Sequence, residues 1–398
     1  MNQRETALEI LYKTIKEESY SNLLMRKELE KLPQIQRAFT TNLINGVLRK
    51  YEYLSYQFRD EVKADTALRT RLILCMALYE RFYLKEKDYV VNNEYVELGR
   101  NRHEKAFINA LLHKMKVLKE AEDPWIRFNL PEWIYRLLSS QYDEETLKKI
   151  LNVYQKIPSV YYRINKKKCG MHDLEKLNIT VLNDDIFTSA ENLLTTEEYK
   201  NGYFYVQDCN SASLYRHLDL KEDHTLLDVC SAPGSKLFNC LDVLKPENCY
   251  ANDLHENRVK LIRKMAEKLD YKGIHYLNLD GRKLKDVLNL QFDRIMLDAP
   301  CSGLGVIGRK PDLKFHVRPE NLDELEKLQL ELLHSIKELV KIDGIVLYST
   351  CTLNRKENDR LIRKFLSEEG RFELLEEDTI INEAGDAFYY AKIKRVKE

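Results

Sequence analysis

From Thr225 onward the chain alternates short apolar runs with helical stretches, and the runs finish on acids or cysteines. They are Leu226 to Cys230, Cys249 to Asp253, His275 to Asp280, Phe292 to Asp298 and Gly344 to Cys351. This alternation builds a parallel sheet with helices on both faces, and it carries every strand end to one edge. Ligands of such sheets bind outside the carboxyl ends of the strands. A last run, Ala387 to Ile393, adds a sixth or seventh strand that can run antiparallel. The fold class expected here is a Rossmann-like α/β domain over residues 219–398.

A chain of 398 residues with 44% apolar residues has room for two or three domains. Residues 1–121 read as all-helical, with stripes at helical spacing: Leu8, Leu11, Tyr12 and Ile15; Phe39, Leu43, Val47 and Tyr51; Leu72, Met76, Tyr79 and Tyr83; Phe107, Leu111, Leu112 and Met115. Residues 122–157 read as a helical linker punctuated by Asp123-Pro124 and Leu130-Pro131, with a helix from Trp133 to Tyr154. Between 158 and 218 the pattern turns to short β-like runs, Val160 to Ile164, Ile179 to Leu182 and Tyr203 to Val206, which predict a small mixed α/β subdomain.

Arg4, Glu5, Glu9 and Lys13 interrupt the first apolar stretch, so it does not read as a signal peptide, and no window is apolar enough for a membrane span. Eight cysteines without a Cys-x-x-Cys pair argue against a disulfide framework and a zinc ribbon, so no metal is expected and the reducing cytoplasm is the expected compartment. The 64 basic and 64 acidic residues cancel, although residues 1–120 hold 22 Lys+Arg against 17 Asp+Glu. That excess is compatible with an RNA-facing front, and equally with solvated helix surfaces. Nothing implies a protein partner; a monomer is the default.

The turn Asp228-Val229-Cys230-Ser231-Ala232-Pro233-Gly234-Ser235-Lys236 enters a helix from the first strand. Only Gly234 is available, so both the three-glycine dinucleotide fingerprint and the P-loop fail. Asp228, Asp253, Asp280 and Asp298 crowd the strand ends and would repel phosphates. They suit a cation. S-adenosylmethionine offers a sulfonium, an amine, ribose hydroxyls and an adenine amine, all of which acids can serve. Asp253, nineteen residues beyond Gly234, is placed for the ribose, or else for a helix cap before His255.

Two cysteines finish strands about fifty residues apart, in Asp298-Ala299-Pro300-Cys301-Ser302-Gly303 and Ser349-Thr350-Cys351-Thr352. A pyrimidine becomes nucleophilic at carbon 5 once a soft nucleophile adds at carbon 6, and a thiolate attacks readily and later leaves. Asn354 can cap a helix with Glu357 three residues on, which would set a positive helix end near Cys351. Two thiols suggest that one bonds the ring and the other assists its release. Asp298 is placed to bond ring nitrogen 3.

These segments resemble the RNA cytosine-5 methyltransferases of the NOP2/Sun group, along nearly the whole chain. The sharpest parts are Asp228 to Lys236, Asp298 to Gly303 with Arg309 to Lys314, and Tyr348 to Leu353 with Glu357-Asn358. The resemblance implies methylation of a cytosine in 16S ribosomal RNA, with Cys351 as nucleophile and Cys301 promoting product release. It places the cofactor residues at Cys230, Ser231, Ala232, Pro233, Gly234, Ser235, Lys236, Asp253, Asp280 and Asp298. The front resembles a NusB-type RNA-binding domain through Gln36 to Phe39, Asn45 to Arg49 and Phe107 to Leu112. Tyr162-Arg163-Ile164-Asn165 and Val206-Gln207-Asp208 resemble the family's small RNA-contacting subdomain. RNA contacts are accordingly expected at Arg163, Asn165, Lys167, Arg309 and Lys310. Ser235 stands where the family has a second glycine, and Asp386 to Tyr390 departs from the usual Asp-Gly-Phe-Phe-Tyr. The alternatives are cytosine-5 methylation of transfer RNA, amino-group methylation on the same fold, and a non-catalytic RNA-binding factor.

Overall fold

Buried apolar faces gather the chain into two compact units in a computed structural model that describes residues 2–17 and 19–397. One unit runs to Gln155 and also takes in Lys310–Arg318; the other holds 156–309 and 319–398.

The helical unit contains α1 (Gln3–Lys16), α2 (Ser21–Glu28), α3 (Gln34–Tyr56), α4 (Leu68–Phe82), α5 (Asp88–Glu97), α6 (Arg102–Lys114), α7 (Pro124–Arg127), α8 (Glu132–Gln141) and α9 (Glu144–Gln155). Asn2 caps α1 reciprocally with Glu5. In α4 every residue from Leu72 to Leu78 is fully buried. A helix apolar all round must be central, and the others pack about it. Its one buried acid, Glu80, accepts hydrogen bonds from Arg4 and from the Tyr95 hydroxyl, so no charge is left unpaired.

The stretch 122–155 groups with this unit. Its expected single helix is two, because Asp143 accepts from the Thr146 amide and starts α9 afresh. The segment 310–318 also lies here: Asp312 accepts from the Ser21 amide and hydroxyl, and Phe315 meets Tyr51 edge-on at 5.1 Å.

The second unit has a small antiparallel sheet of β1 (Tyr161–Ile164), β2 (Thr180–Val181), β3 (Ile186–Thr188) and β4 (Phe204–Val206), in the order β2-β3-β1-β4. Its larger sheet comprises β5 (Leu226–Asp228), β6 (Cys249–Asn252), β7 (His275–Leu277), β8 (Phe292–Asp298), β9 (Val340–Thr350), β10 (Phe372–Ile380) and β11 (Phe388–Arg395). The order is β10-β11-β9-β8-β5-β6-β7, with β5 to β9 parallel and the last two antiparallel. After β7 the chain crosses back to place β8 beside β5. The reversal opens a crevice at the carboxyl ends of those two strands. Neighbouring residues face opposite layers, Leu226 one and Leu227 the other, as a sheet covered on both sides requires. Two strands were not anticipated from sequence. β3 is only three residues long, and β10 is an edge strand whose Glu373, Glu376, Glu377 and Asp378 mask its apolar pattern.

Candidate active site

Asp298 is the last residue of β8 and pairs in register with Ser349 of β9, so Cys301 and Cys351 leave adjacent strands side by side. Their sulfurs are 3.4 Å apart. Both are half-buried.

One buried network of five side chains holds the two loops together. The Ser302 hydroxyl meets the Thr352 hydroxyl at 2.7 Å. Glu357, fully buried, accepts from the Ser302 amide at 2.9 Å, the Ser302 hydroxyl at 2.6 Å, Gln329 at 3.0 Å and Asn354 at 3.1 Å. Each thiol therefore sits next to a residue that this network fixes. The expected helix cap is replaced by it: Glu357 turns inward, and the following helix begins only at Asp359. Asn358 meanwhile accepts from Thr350 and donates to the Thr352 carbonyl. A helix amino terminus thus does not follow Cys351 directly, and the positive charge near the thiols comes from a side chain instead.

That side chain is Lys236. Its ammonium donates to Asp298 at 2.6 Å and lies 5.3 Å from the Phe388 ring. Burial disfavours its charge, but Asp298, then Cys351 and Asp228, more than offset this, and the lysine stays protonated well into alkaline pH. Cys301 behaves oppositely: the contact with Cys351, burial and the nearby Glu357 and Asp298 hold its thiol well above the ordinary range. The Lys236 charge and a Cys351 thiolate would attract each other, and either sulfur can be the donor in the contact between the two thiols. Asp298 also accepts from the Ser349 hydroxyl at 2.9 Å, which fixes the carboxylate.

On the other side of the crevice, the turn 230–236 is sharp. Gly234 takes a φ of +102°, and a side chain there would collide with the Phe238 ring. Ser235 is the first helical residue and has no left-handed backbone, so its departure from glycine carries no strain. Asp253, buried, accepts from the Ala232 and His255 amides and lies 3.5 Å from Arg258, tying the end of β6 to the turn. Asn252, unnoticed in the sequence, donates to the Val229 and Leu279 carbonyls and accepts from the Leu279 amide. Asp280 is bound by Arg282 at 2.7 Å, which lowers its pKa.

Two family models match this chain: 16S rRNA methyltransferase RsmB/F over residues 215–394, and the NusB family over residues 1–116. The chain is 34% identical to the probable ribosomal RNA small subunit methyltransferase B of Bacillus subtilis, over 93% of this chain and 89% of that one. It belongs to this family of ribosomal RNA small subunit methyltransferases. The Yersinia enterocolitica member is 27% identical over 90% of both chains. The crystal structure of PH0851 shares the fold over 99% of each chain, with a TM-score of 0.79 and 20% identity. That of NSun6 from Pyrococcus horikoshii, with SFG, has a TM-score of 0.61 and 18% identity, over 67% of this chain and 99% of that one.

The methyltransferase is an RNA-modifying enzyme that uses S-adenosylmethionine. The crevice fits that cofactor. Asp228 is buried with neither carboxylate oxygen hydrogen-bonded, and the Ser231 hydroxyl beside it is likewise unsatisfied. Burial, with Asp298 and Asp253 nearby, raises the Asp228 pKa to about 7. An orphaned acid among acids calls for a cationic ligand. Burial and the same three aspartates push the Cys230 thiol far up, so Cys230 lines the turn as a neutral group. Among the described residues no cluster of three or more His, Cys, Asp or Glu is placed to hold a metal ion.

Four of the five residues expected to touch RNA have side-chain partners within the protein. Arg163 is buried, donating to Asp242 at 2.7 Å and to the Tyr205 hydroxyl, with Asp185 at 3.4 Å. Asn165, also buried, donates to the Gly202 and Leu269 carbonyls, and Lys167 reaches the Asp270 backbone and carboxylate. Asn165 and Lys167 bind the turn after β1 to the end of the helix Glu256–Leu269, whose last carbonyls need donors. Arg309 joins Asp386 at 2.7 Å to Asp208 at 3.1 Å. Lys310 is exposed, and its backbone carbonyl accepts from the Leu313 amide.

Proposed function

We propose that the enzyme methylates carbon 5 of a cytosine in 16S ribosomal RNA through a transient bond between the Cys351 sulfur and carbon 6. The observation that carries the reading is the pair of thiols 3.4 Å apart beside the Lys236–Asp298 ion pair. Transfer to an exocyclic amine needs no thiol and would leave both unexplained. The names of the relatives support the small-subunit RNA as substrate.

The Cys351 thiolate adds to carbon 6, and the electron pair of the 5,6 double bond moves to carbon 5. Lys236 balances the negative charge passing from sulfur into the ring, and Asp298 holds Lys236 in place. S-adenosylmethionine supplies the methyl group that carbon 5 takes up. The carbon 6–sulfur bond then breaks as Cys301, whose thiol is held neutral, protonates the departing Cys351 sulfur, and the Cys301 thiolate so formed takes the carbon 5 proton, so the 5,6 double bond re-forms and both thiols end neutral. The target base must leave its stack to meet both sulfur and cofactor, so a loop or bulge is the preferred context. The protein acts as a monomer in this reading.

With Cys351→Ala, methylation should vanish. With Cys301→Ala, the ring adduct should persist as a protease-sensitive RNA–protein band on a denaturing gel. Normal turnover by Cys301→Ala, or 5-methylcytosine formed by Cys351→Ala, would overturn the roles.

A further inference from the structure

We infer that the helical unit carries a nucleotide pocket that takes one phosphorylated base of single-stranded RNA, a second RNA contact besides the thiol site. The inference rests on RNA being the substrate but not on which ring atom is methylated.

The last turns of α3, the end of α4 and the stretch 120–129 enclose a cavity of about 400 Å³, within the range of small-ligand sites. Its lining includes Lys50, Tyr53, Tyr83, Arg127 and Asn129. Its floor is built. Asn129, buried with a φ of 55°, accepts from the Tyr53 amide through its side chain, and its carbonyl accepts from the Lys314 ammonium at 2.8 Å. Lys50 donates to the neutral Gln155 side chain at 3.1 Å.

Among the described residues no carboxylate forms an ion pair with Lys50, Arg127 or Lys314, and the acid of the lining, Glu120, is exposed. Lys314 is fully buried; burial, with Lys50 and Arg49 adding repulsion against the pull of Glu52, lowers its pKa to about 8. Burial and Arg49 lower that of Lys50 as well. Positive charge gathered in a recess without a partner favours an anion. Beside it stands an aromatic face: Tyr83 is 37% exposed, stacked on Tyr79 at 5.2 Å and 14°, with Lys50 5.9 Å from its ring. A cation over an open, rigidly backed ring is the arrangement that stacks a base while holding its phosphate.

The test measures binding of a fluorescein-labelled, single-stranded RNA octamer to the full chain by anisotropy, without cofactor. Tyr83→Leu with Lys50→Gln should weaken it at least tenfold, and Lys50→Arg should retain it. Helical circular dichroism and its thermal melt should be unchanged in both variants, which shows that they fold. Adenosine monophosphate should displace the octamer at concentrations where inorganic phosphate does not. Undiminished binding by the double variant overturns the pocket, and equal displacement by the two competitors overturns base recognition. A failed thiol assignment would alter neither reading, since no methyl transfer is measured.

Discussion

Glu357→Ala tests how the thiols are held together. The buried carboxylate accepts four hydrogen bonds, two from Ser302 and one each from Gln329 and Asn354. Removing it leaves those donors facing an apolar void. A buried donor left unsatisfied costs about 1–3 kcal/mol; the Ser302 hydroxyl can still turn to Thr352, so at the low end the other three sum to roughly 3 kcal/mol. At about 2–4 °C per kcal/mol for a unit of this size, the melting temperature should fall by about 6–12 °C. Glu357→Gln keeps one acceptor oxygen and the volume, and should lose about half as much. The stability loss alone would not prove the geometric role, so the decisive readout is the sulfur pair itself. At a temperature where each protein remains folded, a mild disulfide oxidant should close Cys301 to Cys351 rapidly in the parent, because the sulfurs start 3.4 Å apart. Peptide mapping should show this closure slowed at least tenfold in Glu357→Ala. An alanine variant that crosslinks as fast as the parent would refute the claim that Glu357 positions the thiols.

Replacing Lys236 by Met should move the acid limb of the pH–rate profile upward by about one unit, because the cation that favours Cys351 thiolate is gone; an unmoved limb would remove Lys236 from the ionisation. Asp228, with a folded pKa raised to about 7 by burial, favours folding when protonated, so its stabilising contribution is full below about pH 4 and disappears as pH rises through 7. Asp228→Asn should therefore gain roughly 2–3 kcal/mol on the parent between pH 5 and pH 8 in urea melts without cofactor, and equal gains at both would contradict the assignment. Arg163→Met should destabilise by about 3–5 kcal/mol, since Asp185 and Asp242 lose a buried partner; a stable variant with weakened RNA binding would return Arg163 to the RNA surface.

The small sheet shows where motif reading reached its limit. Tyr162-Arg163-Ile164-Asn165 was recognisable as a signature, but a signature does not say whether its arginine faces RNA or the protein's interior. Only the distant Asp242 and Leu269, brought in by packing, decide that Arg163 and Asn165 serve as clamps. The same holds for Arg309 to Lys314, contiguous in sequence yet divided in space, with Arg309 on Asp386 and Asp208 and Asp312 on Ser21. Asn354 with Glu357 had the spacing of a helix cap, and local spacing lost to four buried donors that needed an acceptor.

What the sequence by itself determined were the properties carried by local pattern: period-2 and period-3.6 apolar runs, the single glycine turn, the acids on strand ends and the two strand-end thiols. Strand identity fixes which residues lie at one sheet edge, because a parallel sheet sends every carboxyl end the same way. Tertiary structure alone decided which strand ends are neighbours. The crossover that sets β8 between β5 and β9 brings Asp298 to Lys236 and Cys301 to Cys351, across separations of 62 and 50 residues, and no local propensity encodes a contact of that range.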